Sequence, residues 1–115
     1  MSEEPPPEDL FALLADEYAR AILTATTAEH HSAPMLADTI DAAPSTVYDR
    51  LDRLHDAGLI DERTELDEDG NHYATYRARL ERLDVRLDED GFAIETELVG
   101  RDAAADRFTE LWGEL

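Results

Sequence analysis

The chain has 115 residues, of which 29 are Asp or Glu and 10 are Arg, with no Lys and no Cys, for a formal net charge of −19 at pH 7. A length of this order holds one domain with a modest core, and no apolar run approaches the ~20 residues of a membrane-spanning helix. The missing cysteines exclude disulfides, thiolate metal sites and cysteine nucleophiles, while the carboxylate excess excludes the broad basic patch on which most polyanion binders rely.

The opening Met1-Ser2-Glu3-Glu4-Pro5-Pro6-Pro7 is acidic and proline-rich, without the charged-then-apolar pattern of an export signal. Residues 1–8 are therefore expected to be a disordered tail on a cytoplasmic protein. From Asp9 to Thr24, the residues Leu10, Leu13, Leu14, Tyr18, Ala21 and Ile22 recur at helical spacing, and Glu8 and Asp9 sit at the end that favours acids. This predicts one first helix, with Tyr18 in the core or at a subunit contact, and Thr26 to His31 as the following loop.

Ala33 to Ile40 reads as a second helix, opened by Ser32 as N-cap and burying Leu36 and Ile40. Only Asp41, Ala42 and Ala43 separate it from a third helix that starts at Pro44, suited to a first turn, and stops before Gly58, suited to a C-terminal cap. At 100° per residue Val47, Leu51 and Leu54 form one stripe, opposite Ser45, Asp49, Asp52, Arg53 and Asp56. Such a pair fits an ordinary helical hairpin in a core as well as a helix-turn-helix whose second helix enters the major groove of DNA.

The segment after Gly58 favours the DNA-reading alternative. Leu59 to Leu66 is strand-like, Asp67-Glu68-Asp69-Gly70-Asn71 is a turn cluster, and His72 to Leu80 resumes a strand. A hairpin in that position is a wing, with Arg63, Asn71, His72 and Arg77 expected to position the DNA backbone. After it, Leu83, Val85 and Leu87, then a turn over Asp88 to Gly91, then Phe92, Ile94, Thr96 and Leu98 form a second hairpin with one apolar face. Gly100 breaks that pattern, and Asp102 to Leu115 carries Ala105, Phe108, Leu111, Trp112 and Leu115 as a terminal helical stripe.

The expected fold class is α+β: a winged helix-turn-helix of three helices and a two-stranded wing over residues 9–80, then an extra β-hairpin and a terminal helix over residues 81–115. The surplus apolar surface either folds onto the first helix or forms an isologous dimer contact. The dimer is favoured, because a two-fold reader doubles its groove contacts. Leu10, Tyr18, Phe108, Leu111, Trp112 and Leu115 are the candidates for it.

Three sequence pieces are distinctive: Leu14-Ala15-Asp16-Glu17-Tyr18-Ala19-Arg20-Ala21-Ile22-Leu23, Ser45-Thr46-Val47-Tyr48, and Leu54-His55-Asp56-Ala57-Gly58-Leu59-Ile60. Through them the stretch from Leu14 to Arg79 resembles the ArsR-like winged helix-turn-helix regulators abundant in halophilic archaea. The resemblance implies sequence-specific binding of double-stranded DNA by a homodimer, with Ser45, Thr46, Tyr48, Asp49 and Arg50 at the base-reading positions and Arg53 one turn further on. Asp49 departs from the family pattern, which often has a basic residue there; a carboxylate accepts from cytosine N4, and i,i+4 spacing pairs it with Arg53. Metal-sensing relatives use cysteine pairs, which this chain lacks.

The remaining signals are bland. His30 and His31 are adjacent and far in sequence from His55 and His72, so loop histidines are expected in place of a metal site, with a phosphate contact as the functional alternative for His72. Carboxylate pairs such as Asp61-Glu62 or Glu95 with Glu97 describe a hydrated surface, and no phosphate loop, nucleophile elbow or metal-binding helix motif marks an enzyme. Nothing points to a cofactor, a membrane or a particular small-molecule effector.

Charge is the main objection to DNA. Residues 44–80 hold five arginines and nine carboxylates, net −4, while the other 78 residues are net −15. Arginine is thus concentrated near the proposed reading surface, but the local sign supports a rival: an acidic winged-helix adaptor or DNA mimic that binds protein. The carboxylate excess without lysine is similar to the composition of proteins from extremely halophilic archaea, whose cytosol holds molar salt. At ~1 M salt the Debye length is only ~3 Å, which screens the self-repulsion of such a surface. The melting temperature of the full chain should therefore rise as KCl is raised from ~0.1 M to ~1 M, and a flat or falling Tm would remove the argument.

Overall fold

Two helices stand where one was expected ahead of the corner. The computed structural model describes residues 6–99, and in it α1 (Pro7–Ala15) and α2 (Glu17–Ala25) meet at Asp16. Pro7 and Glu8, expected in the tail, open α1, where the fixed φ of proline suits a first turn and Glu8 and Asp9 face the positive end of the helix dipole. Asp16 is extended (φ −86°, ψ 123°), and its Oδ2 accepts from the Ala19 N–H at 2.7 Å. A carboxylate N-cap thus ends one helix and starts the next. Both helices bury apolar side chains, Leu10 and Leu13 from α1 and Ala19, Ile22 and Leu23 from α2, and the break at Asp16 lets the two sets, which one continuous helix would put on opposite sides, enter the same core.

The stretch expected to be a loop ends in a short strand, β1 (His31–Ser32), which leads directly into α3 (Ala33–Ile40). The Ser32 hydroxyl accepts from the Met35 N–H at 3.3 Å as the N-cap. Leu36 is fully buried; Ile40, expected beside it, is half-buried. The corner turns at Asp41, in the left-handed region at φ 54°, a conformation that Asp tolerates better than most residues.

Helix α4 (Pro44–Asp56) has Pro44 in its first turn and buries Val47, Leu51 and Leu54. It packs on both α2 and α3. Its end is a Schellman arrangement: the Gly58 N–H donates to the His55 carbonyl at 3.0 Å and the Leu59 N–H to the Leu54 carbonyl at 2.9 Å, with Gly58 at φ 77°. Leu54 and Leu59, which flank that cap, are both in the core.

Strands β2 (Ile60–Leu66) and β3 (His72–Ala78) pair antiparallel from Ile60↔Ala78 to Leu66↔His72. Asp67 organises the turn, since its Oδ1 accepts from the N–H groups of Asp69 and Asn71, each at 2.9 Å. β1 adds to the other edge of β3, Ser32 opposite Thr75, so the sheet has three strands in the order β1-β3-β2 where a two-stranded wing was expected. Backbone groups near the core need partners, and this short strand supplies them for β3. Buried Thr26 joins helix to sheet: its hydroxyl donates to the Ile22 carbonyl at 2.8 Å, and its own carbonyl accepts from the Ala78 N–H at 3.1 Å.

After the single residue Arg79 the chain enters a separate two-stranded sheet, β4 (Leu80–Asp88) and β5 (Gly91–Leu98). The Leu59 carbonyl accepts from the N–H groups of Arg79 (2.8 Å) and Leu80 (3.3 Å), which fixes this hairpin to the end of α4. The expected terminal helix, with Phe108, Leu111, Trp112 and Leu115, lies outside the described residues, as does the start of the tail.

The glycine cap gives a direct test. An alanine at Gly58 must adopt a positive φ, so Gly58→Ala should lower unfolding stability by about 1 kcal/mol in denaturant melts at constant molar salt. An unchanged midpoint would contradict the Schellman geometry.

Candidate nucleic-acid interface

Burial of Val47, Leu51 and Leu54 leaves the opposite side of α4 bare: Ser45, Tyr48, Asp49, Asp52, Arg53 and Asp56 are exposed, and Thr46 is half-buried. Tyr48 is 52% exposed. Arg53 is equally open: its side chain is 60% exposed and 3.6 Å from Asp49, which realises the expected i,i+4 pair as a loose contact.

Arg50, expected among the base-reading residues, points elsewhere. Its Nε and Nη2 fork onto the two carboxylate oxygens of Asp16 at 2.9 and 3.1 Å, and its Nη1 donates to Asp49 at 2.8 Å. The guanidinium also lies 5.8 Å from the ring centroid of half-buried Tyr18. Position 50 falls at the edge of the apolar stripe of α4, on the side of the α1–α2 break, so its side chain reaches Asp16 and not solvent. The Arg50 hydrogen bonds hold the Asp16 carboxyl below the usual carboxylate range against the opposing effect of burial, with the Ala19 N–H adding to the same direction. Asp16, which holds Arg50 and caps α2, is the residue of this site that sequence reasoning missed. An unbroken helical stripe from Leu10 to Ile22 concealed its capping role, and its partner lies 34 residues away.

The four wing residues expected to act together separate on two faces. Ile60↔Ala78, Glu62↔Tyr76 and Leu66↔His72 share the face that packs on the helices, which places His72 on that side of the wing. Arg63 and Arg77 lie on the other face, and Asn71 stays in the turn. Arg63 is also engaged, donating to Glu65 Oε2 at 2.8 Å, while the Thr75 hydroxyl donates to the same oxygen at 2.9 Å. These two donors keep the Glu65 carboxyl below its ordinary range. Exposed Arg77 reaches the Thr27 carbonyl at 3.5 Å. The wing tip itself is acidic, with Asp67, Glu68 and Asp69 exposed, but beside them Leu66 and Tyr73 are exposed apolar surface.

Between α4 and the wing lies Tyr76, whose phenol is pushed above its ordinary pKa first by burial and then by Glu62, Tyr48 and Asp52. Tyr48 and Asp52 of α4 thus lie near enough to act electrostatically on this residue of β3. On the far side of α4, a cleft of about 360 Å³ between α1 and α4 is lined by Asp9, Ala12, Leu13, Arg53, Asp56 and Ala57. Of the expected dimer residues, Leu10 is in the core of the chain itself at 5% exposure, so it presents no contact face, and Tyr18 is half-covered. Among the described residues no group of three or more His, Asp or Glu is placed to hold a metal ion, and no helix is long and apolar enough to cross a membrane.

Residues 14–63 match a family model described as a helix-turn-helix domain. The matched span runs from the end of α1 into β2 and contains the whole α2–α3–α4 unit. No curated protein matches the chain. The chain thus carries a helix-turn-helix domain, with α4 as its second helix, built on mixed helices and strands.

The Asp16–Arg50 fork is testable through linkage. A carboxyl whose folded pKa is depressed stabilises the fold above its unfolded value, ~3.9, and loses that contribution as pH falls through the folded value. Asp16→Asn should therefore lower stability at neutral pH and reduce the acid sensitivity of unfolding below ~pH 4. Asp16→Asn and Arg50→Gln should be non-additive in a double-mutant cycle. Additive losses would mean that the two side chains do not act as a pair.

Proposed function

We propose that this chain is a sequence-specific DNA-binding transcription regulator that works as a homodimer in a high-salt cytoplasm. The carrying observation is the outward face of α4: burial of Val47, Leu51 and Leu54 seats the second helix of the helix-turn-helix and leaves Ser45, Tyr48, Asp49, Asp52 and Arg53 exposed on its other side. In this reading no residue is catalytic and no cofactor is required.

The residues available for reading are Ser45, Thr46, Tyr48, Asp49 and Arg53, with Asp52 between Tyr48 and the wing. Arg53 supplies the guanidinium fork that suits guanine O6 and N7, and Asp49 or Asp52 accepts from cytosine N4. Tyr48 offers apolar area and a hydroxyl. Arg50 serves as a positioning residue, setting α4 against the α1–α2 break through Asp16. On the wing, His72 and Asn71 are better placed to meet a backbone beside α4 than Arg63, which is occupied by Glu65.

The acidic surroundings fit a molar-salt regime. There, long-range attraction to phosphate is screened for any protein, so affinity depends on short-range hydrogen bonds, apolar contacts and shape. Homodimer formation follows from the two-fold logic of half-site recognition, and residues 81–115 are the element to which the pairing is assigned.

Selection from genomic fragments in ~1 M KCl tests this reading. Wild type should enrich particular sites, and Tyr48→Ala and Arg53→Ala should each weaken binding to those sites by about fivefold to about a hundredfold, as expected for losing one base contact. Arg50→Gln should instead show its main loss in stability. If no fragment is enriched, the acidic-adaptor reading, in which the same face binds protein, takes over.

A further inference from the structure

The outer edge of the second hairpin is complementary to itself. Among the described residues β4 has one strand neighbour, β5, and no backbone hydrogen bond runs from Arg82 to Asp88 to any other element. In an antiparallel strand every second residue turns its N–H and C=O away from the mate, so the far edge of β4 presents a row of donors and acceptors. The β4–β5 ladder is regular from Arg82↔Glu97 to Asp88↔Gly91, and its register shift falls before Arg82.

Over that regular stretch the sequence is Arg82-Leu83-Asp84-Val85-Arg86-Leu87-Asp88. Two copies laid antiparallel about a two-fold at Val85 set Asp84 against the partner's Arg86 and Arg82 against the partner's Asp88, and the symmetry repeats both contacts. On the apolar face Leu83 meets the partner's Leu87, and Val85 meets the partner's Val85. Every charged pair is then opposite in sign. A two-fold at Asp84 would set Arg82 against the partner's Arg86, and one at Arg86 would set Asp84 against the partner's Asp88. Both place like charges directly opposite, which is destabilising. A two-fold between residues puts apolar side chains opposite charged ones, and centres at Leu83 or Leu87 shorten the paired stretch.

The exposed side chains support the same edge. Arg82, Val85, Arg86, Leu87 and Asp88 are exposed, and Asp84 is half-covered. Arg82 and Arg86 lie 3.5 and 3.4 Å from Glu97 and Glu95 of β5, and a guanidinium has donors enough for a second carboxylate on its other side. The β5 edge is unlike it. β5 lies against α1, where the Phe11 and Phe92 rings meet edge-on with centroids 6.0 Å apart, and its charged residues are carboxylates, Glu95 and Glu97, with no opposite charge for a second β5.

We propose that two copies of this chain pair antiparallel through β4, with the two-fold at Val85, in a continuous sheet of order β5-β4-β4-β5. The inference rests on the homodimer part of the function proposed above and gives that dimer its interface. A two-stranded hairpin is marginal in water, and the four-stranded sheet covers the open edge of β4. Molar salt screens charges at a distance, whereas directly opposed side chains are in contact and still select the register.

Experiments on the full chain in molar KCl separate this interface from dimerisation as such. Sedimentation equilibrium should show a monomer–dimer equilibrium for the wild type. Asp84→Arg and Arg86→Asp each set like charges opposite one another across the two-fold and should each raise the dimer Kd about tenfold. Mixed together, the two variants should form a heterodimer with about the wild-type Kd, because every pair is again opposite in sign; variants that had merely failed to fold would not regain it. The chain has no cysteine, so Val85→Cys should close a disulfide with its own copy under mild oxidation, whereas Leu87→Cys, whose mate is Leu83, should link with Leu83→Cys and not with itself. A dimer whose Kd ignores both charge substitutions, no gain on mixing, or Val85→Cys that stays unlinked would each overturn the pairing and leave the homodimer to another surface. A wild type that stays monomeric at every concentration would overturn the homodimer and this pairing with it. A dimer that behaves as expected but enriches no genomic fragment would support the pairing and count against the DNA reading alone.

Discussion

Cationic side chains are scarce here, and the structure uses nearly all of them internally. Eight arginines stand between residues 6 and 99, and each has a carboxylate or a backbone carbonyl within 4 Å. Arg20 holds the Leu14 carbonyl across the α1–α2 break, Arg50 holds Asp16, and Arg79 lies 3.6 Å from Asp61 at the junction of the two sheets. An arginine offered to a ligand must leave such a partner. Exposed ion pairs contribute only ~0–1 kcal/mol and less in high salt, so Arg53, the open member on α4, is released at little cost. Arg50, forked onto a partly covered carboxylate, is not.

That difference divides α4 into an edge fixed by its ion pair and an exposed face. The apolar stripe sets the rotation of the helix, and the Asp16–Arg50 fork fixes its edge against the start of α2. Asp16 performs two tasks at once, since the same carboxylate caps α2 and receives Arg50. Orientation of the outward side chains therefore depends on the break between α1 and α2 as much as on the corner at Asp41.

The end of α4 is the second organising point. Leu59 follows the glycine cap, enters the core, and presents its carbonyl to Arg79 and Leu80, so one residue links the helix, the wing's return and the start of β4. The wing and the outer hairpin are thereby fixed relative to the second helix without a long connection. The wing keeps the face bearing Tyr76 and His72 toward the helices and turns Arg63 and Arg77 away, a consequence of strand parity.

Elements whose signals are local were legible from the order of residues. Ser32 as a cap, Pro44 and Gly58 at the two ends of α4, the stripe of Val47, Leu51 and Leu54, and the turns at Asp67 to Asn71 and Asp88 to Gly91 all rest on spacing or backbone preference within a few positions. Features that depend on partners far along the chain emerged with the folded arrangement. The break at Asp16 is hidden in the sequence because half-buried Leu14, Tyr18 and Ala21 continue the apolar period of α1 across it, although α2 buries Ala19, Ile22 and Leu23 on a different side. β1 has just two residues and exists because β3 offers an edge. A helical wheel puts Arg50 among the readers, because it cannot show that a carboxylate 34 residues earlier lies within 3 Å. Local periodicity states which face of an element is apolar, whereas charge pairing and strand addition depend on what folding brings alongside.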